Sequence, residues 1–217
     1  IAALACVPAL GLDGDYNLRR LERYLVMVLE AGVEPVVLLA KSDLMTAEEV
    51  RGLIEAVGRA QIQAEVLAIS CRTGDGMEAL RRRLVPPRTY CLLGSSGVGK
   101  STLVNLLLGA EAFATAPVRA FDGKGRHTTS RRQLVVLEGG ALLIDTPGMR
   151  ELGAMGVGEG IEAGFADLAE LAGQCRFNDC SHRQEAGCAV RAAVERGEID
   201  AGRYESFLKL SRESDYL

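Results

Sequence analysis

Residues 94–102 read GSSGVGKST, a complete G-x-x-x-x-G-K-[ST] pattern, with the strand-like run RTYCLL before it and the helix-like run STLVNLLLG after it. Glycines at these positions let successive backbone N–H groups point inward around a phosphate at the positive end of a helix. The pattern assigns Gly94, Ser95, Ser96, Gly97, Val98, Gly99, Lys100, Ser101 and Thr102 to a nucleoside triphosphate. Lys100 is expected to reach the terminal phosphates, and the Ser101 hydroxyl to sit on Mg2+.

Further along, an apolar run ends in Asp145-Thr-Pro-Gly148. A carboxylate at the carboxyl end of a strand beside a phosphate loop can hold Mg2+ through water, and the Gly148 backbone N–H can approach the γ-phosphate. Met149 follows, where a glutamine would orient the attacking water. The intervening stretch GKGRHTTSRR, residues 123–132, has the make-up of a switch loop. Thr128 and Thr129 both qualify to complete Mg2+ coordination, and His127 is placed to orient water in place of the glutamine. Arg119, Lys124, Arg126, Arg131 and Arg132 surround them against one acid, Asp122, a balance suited to closing on RNA phosphates.

Two loops ahead of the phosphate loop carry a base-selecting chemistry. In LLAKSDL, residues 38–44, the Asp43 carboxylate can accept from guanine N1–H and the N2 amine together, which adenine cannot offer. The Lys41 stem can cover the base, with Ser42 between them; Ala40 stands where an asparagine would tie the loop to N7 and to the phosphate loop. In AISCRTGDG, residues 68–76, Ser70, Cys71 and Arg72 form a second loop whose backbone can meet guanine O6. The expected outcome is GTP selectivity retained with a weaker grip.

These loops need a sheet to hold them. Strand patterns fall at 2–8, 35–40, 64–70, 89–93, 133–138 and 141–145, and helical patterns at 15–31, 46–59, 77–84 and 100–108. Gly139-Gly140 predicts a hairpin between the last two strands. The expected fold is α/β: a six-stranded, mostly parallel sheet. Beyond the glycine-rich connector ELGAMGVGEG, no strand pattern appears. The division expected is 1–153 for the nucleotide-binding domain and 154–217 for a small α-helical domain.

That second part holds Cys175, Cys180, His182 and Cys188, spaced C-x4-C-x-H-x5-C. Three thiolates and an imidazole close a tetrahedral shell, so one structural Zn2+ is expected, with no open position for catalysis. Glu185 falls inside the cluster, but the four ligands already fill the shell.

Composition narrows the classes further. The chain has 217 residues, 48% hydrophobic and 25% charged, with net charge −4. No run approaches a membrane span, and no signal pattern opens the chain, so a membrane role is not expected. Its first residues, IAALACVPA, read as mid-strand, and further sequence upstream is expected. Of the six cysteines, Cys6 and Cys91 lie in apolar runs, which fits buried thiols in a reducing cytosol.

The motifs run base loop, second base loop, phosphate loop, switch threonine, Asp-Thr-Pro-Gly, whereas conventional GTPases place the phosphate loop first. The order describes a circular permutation, with old ends joined around residues 84–88 and new ends after Gly148. With NLRRLERYL, GSSGVGKSTLVN, GRHTT, DTPGMRE and the Cys/His segment, the chain resembles the ribosome small-subunit-dependent GTPase A (RsgA) family. The resemblance implies a cytoplasmic monomer that hydrolyses GTP to GDP and phosphate with Mg2+ and carries one Zn2+. It implies action in late maturation of the 30S ribosomal subunit, in contact with 16S rRNA and stimulated by the subunit. Family members usually begin with an RNA-binding OB-fold; it is not in this sequence, so either a fragment or a shortened relative is expected. Two other readings stay open: a P-loop ATPase or kinase, and an RNA-binding switch module in which hydrolysis is incidental.

Overall fold

The computed structural model describes residues 2–8, 18–59, 64–95, 97–110, 133–145 and 157–214. Strands β1 (Ala2–Pro8), β2 (Glu34–Ala40), β3 (Glu65–Ile69), β4 (Thr89–Leu93), β5 (Gln133–Val136) and β6 (Leu142–Asp145) form one sheet in the order β3-β2-β1-β4-β6-β5. All neighbours are parallel except β5 and β6. Continuous apolar runs make central strands buried on both faces; Val36, Val37, Leu38 and Leu39 are all fully buried. At the edge, β5 alternates, leaving Leu134 and Val136 exposed. The hairpin turns where the Gly140 N–H donates to Leu137 O at 2.8 Å.

Helices α2 (Ala47–Arg59), α3 (Met77–Arg83) and α4 (Lys100–Leu108) follow β2, β3 and β4. Thr46 opens α2 with a reciprocal cap, its N–H donating to Glu49 Oε2 at 2.7 Å while its hydroxyl accepts from Glu49 N–H at 3.3 Å. The joint at residues 84–88 is held by Tyr90, fully buried, whose hydroxyl donates to Arg83 O (2.6 Å) and accepts from Val85 N–H (3.1 Å).

Compactness separates residues 1–17, 33–56 and 64–152 from residues 18–32, 57–63 and 153–217. Helix α1 (Leu18–Glu30) thus groups with the C-terminal helices, whereas the sequence division at 153 placed it with the sheet. Helix α1 packs on α5 (Gly158–Gly164), with Val26 in one buried apolar cluster with Ile161, Phe165 and Leu168, and a buried ion network adds to that packing. In α8 (Ala201–Ser214), Arg203 forks onto Asp167 of α6 (Ala166–Ala172) through Nε (2.9 Å) and Nη2 (2.7 Å), and reaches Glu22 of α1 through Nη1 (3.2 Å). Its guanidinium also lies 4.6 Å from the centroid of the Phe165 ring. Glu22, a charged residue, is buried. Arg203→Ala would strip Asp167 of its bidentate partner and leave Glu22 to Arg19 Nη1 at 3.4 Å, so it is expected to cost about 3–5 kcal/mol, read as a lower denaturant midpoint for this unit. Among the described residues no helix is long and apolar enough to cross a membrane.

Candidate functional site

Because β1, β2, β3, β4 and β6 are parallel, their carboxyl ends share one edge of the sheet, which is where α/β proteins place ligands. The register sets which loops meet. Ala40 stands opposite Ile69, which brings residues 41–43 beside Ser70; Asp145 stands opposite Leu92, two residues before the phosphate loop.

Lys41 turns the chain out of β2 in a left-handed conformation (φ 62°), uncommon for a residue with a side chain. Its ammonium donates to Gly97 O at 2.9 Å, so the base loop is tied directly to the phosphate loop. Asp43 then sits in a single turn of 3-10 helix, Ser42–Leu44. Its carboxylate is 7% exposed, accepting from the Ser70 hydroxyl at Oδ1 (2.5 Å) and from Arg72 Nε at Oδ2 (2.7 Å). The Ser70 hydroxyl, and then the Arg72 guanidinium, hold this carboxyl below its usual range, keeping it an ionised acceptor.

Ser70 is itself fully buried and accepts from the N–H groups of Arg72 (3.2 Å) and Thr73 (3.1 Å). The 70–76 loop closes on Gly76, where a Cβ would meet Ala68 O at 2.0 Å, so only glycine fits. Cys71 is half-buried and packs toward the sheet's core, and burial, followed by the Asp43 charge, pushes its thiol up. Ser42 contributes its carbonyl, which accepts from Met45 N–H.

In the phosphate loop, Gly99 (φ 109°) caps α4. Lys100 is buried, with Nζ donating to Gly94 O (2.7 Å) and Ser95 O (2.9 Å). Val98 is buried in the core, Ser101 is half-buried and Thr102 is exposed in the first turn of α4. Asp145 ends β6, although its side chain lies outside the described residues, as do Ser96, His127, Thr128, Thr129 and Gly148.

The ligand atoms of Cys175, Cys180, His182 and Cys188 all lie within 4.8 Å of one another. His182 Nδ1 is 3.5 Å from Cys175 Sγ and 3.6 Å from Cys188 Sγ, and those two sulfurs are 3.9 Å apart. A tetrahedral zinc shell demands edges of about 3.6 Å (S to N) and about 3.8 Å (S to S). The donor set and spacing are compatible with zinc. Burial holds the imidazole below its usual value, opposed by the Glu185 charge, which favours the neutral ring that a metal needs.

A second layer orients the ligands. Tyr204 donates to His182 O at 2.5 Å, and backbone N–H groups of Ala189 and Arg191 donate to Cys175 and Cys188 sulfur, each at 3.4 Å. The last of these caps α7 (Ala189–Glu195). Glu185, which the sequence left without a task, braces the loop. It accepts from the Ser181 hydroxyl (2.5 Å) and from the N–H groups of Ser181, Arg183 and Gln184, and the Ser181 hydroxyl leads in lowering its pKa to about 2.

A model described as RsgA GTPase matches residues 5–155. The chain is 51% identical over 207 residues to the small ribosomal subunit biogenesis GTPase RsgA of Opitutus terrae, covering 95% of this chain and 56% of that protein. A protein of the same name from Xanthomonas axonopodis pv. citri is 48% identical, with 94% and 56% covered. The chain thus spans 56% of the length of each of these two relatives. Among solved structures, YjeQ from Thermotoga maritima is similar at a TM-score of 0.70 and 28% identity, over 98% of this chain and 70% of that one. YloQ, described as a circularly permuted GTPase, shares the fold at a TM-score of 0.65 and 23% identity, with 98% and 67% covered. The expected fold, a permuted P-loop GTPase sheet followed by a helical part with a zinc-compatible cluster, is the one found. The chain belongs to the RsgA GTPase family.

Proposed function

We propose that this chain binds GTP across the carboxyl edge of its sheet, hydrolyses it to GDP and phosphate, and acts in maturation of the small ribosomal subunit. The observation that carries the reading is the Lys41 Nζ–Gly97 O bond, which joins the loop bearing Asp43 to the loop bearing Lys100. Asp43 would accept from the guanine edge. Lys100 and the loop amides would hold the β- and γ-phosphates and stabilise charge as it develops. Mg2+ would be held by Ser101, one of Thr128 and Thr129, and Asp145 through water, supplying charge neutralisation at the phosphates.

The sheet and its loops within residues 1–153 would carry this chemistry, and Cys175, Cys180, His182 and Cys188, within 154–217, would hold a structural Zn2+. The relatives' names support a small-subunit role. The 30S particle and its 16S rRNA are the proposed partners, met by a cytoplasmic monomer. Met149 cannot orient water, so turnover should be slow in isolation, with His127 or the subunit itself positioning the nucleophile. The test is the GTP hydrolysis rate against added small subunits: a rise of tenfold or more, of roughly the size of other trans-activated GTPases or below it, is expected. Equal rates with and without subunits would overturn the reading.

A further inference from the structure

Asp43 can read guanine only if both carboxylate oxygens lie in the plane of the base, because N1–H and the N2 amine each need one. The terminal torsion of an aspartate is soft. One hydrogen bond therefore leaves the group free to rock, and a bond at each oxygen fixes its plane. The Ser70 hydroxyl holds Oδ1 from the buried side. At Oδ2 the partner is Arg72, through Nε alone. Each carboxylate oxygen has two acceptor sites, so a single N–H occupies one and leaves the other for the base.

We propose that Arg72 is a specificity-determining positioning residue, fixing Oδ2 of Asp43 so that guanine is distinguished from purines lacking the N2 amine. The inference rests on the guanine-binding reading above. Two features of the base loop bear on this. Ala40, buried and in register with Ile69, has no amide with which to brace the base loop. The loop's position is carried by Lys41 on Gly97, which leaves the carboxylate plane to Ser70 and Arg72. Arg72 is also anchored at its root, since its N–H donates to the same Ser70 hydroxyl at 3.2 Å. Its side chain is 71% exposed, so truncating it opens no cavity in the core.

The experiment compares kcat/KM for GTP and ITP, the latter lacking the N2 amine. Arg72→Met is expected to lower the GTP-to-ITP ratio roughly tenfold, and Arg72→Lys, which keeps the charge without the planar fork, to restore part of it. A merely structural weakening lowers both values by the same factor; an unchanged ratio in Arg72→Met overturns the proposal. Asp43→Asn, assayed beside them with XTP, replaces an acceptor by an amide donor suited to the xanthine 2-oxo group. If Asp43→Asn moves preference toward XTP while Arg72→Met leaves the ratio intact, only the role of Arg72 falls. If Asp43→Asn keeps its preference for GTP, the base-site reading falls and the role of Arg72 with it.

Discussion

Lys100→Met is expected to cut GTP turnover by about 10²–10³-fold and to leave the protein folded. Lys100 is 8% exposed, and its ammonium donates to Gly94 O and Ser95 O. Methionine matches the stem's length without the charge. What it loses is an ammonium that lies beside the backbone of the phosphate loop and can follow charge onto the γ-phosphate. Turnover within a few-fold of the parent, measured with a phosphate-release assay, would contradict the assignment.

Removal of the proposed zinc would have the other large effect. A closed three-thiolate, one-imidazole site in a small helical unit is worth roughly 10–16 kcal/mol of apparent binding energy near neutral pH. The ligands are also part of the packing. Cys188 is buried in the cluster that contains Phe165, Leu168 and Phe207, Cys175 and Cys180 pack against it, and the His182 ring lies 5.9 Å from Phe207. Cys188→Ser separates metal binding from local structure, since serine can still accept from the Arg191 N–H and is itself a favourable helix cap. The expected result is one equivalent of zinc in the parent, little in Cys188→Ser, and a loss of helical signal at temperatures where the parent is folded. A parent purified without metal, melting as the variant does, would contradict a structural zinc.

Much of the site was legible because its signals are local. The apolar runs ending at Ala40, Ile69, Leu93 and Asp145 announce parallel strands, and the loops after them carry glycines and charges in fixed spacing. What the sequence concealed depends on register and on distant partners. Ser70 was expected to contribute backbone; its hydroxyl instead orients Asp43, a contact that exists only because Ala40 pairs with Ile69. Arg203 and Glu22 are 181 residues apart, and nothing in the periodicity of either helix foretells that both would be buried. Glu185 looked like a spare ligand, and its four hydrogen bonds go to the loop that presents the ligands. The loss at Ala40 was visible, but the tie from Lys41 to the phosphate loop was not, because it needs a left-handed residue aimed at Gly97.

On this reading, loops that run in permuted order along the chain assemble one guanine-nucleotide site. The decisive measurement is displacement of a fluorescent GTP analogue by unlabelled GTP, GDP and ATP. GTP and GDP should displace the probe at concentrations roughly tenfold or more below that needed for ATP, as charge-assisted contacts from Asp43 require. Displacement by ATP at the same concentration as GTP would contradict it.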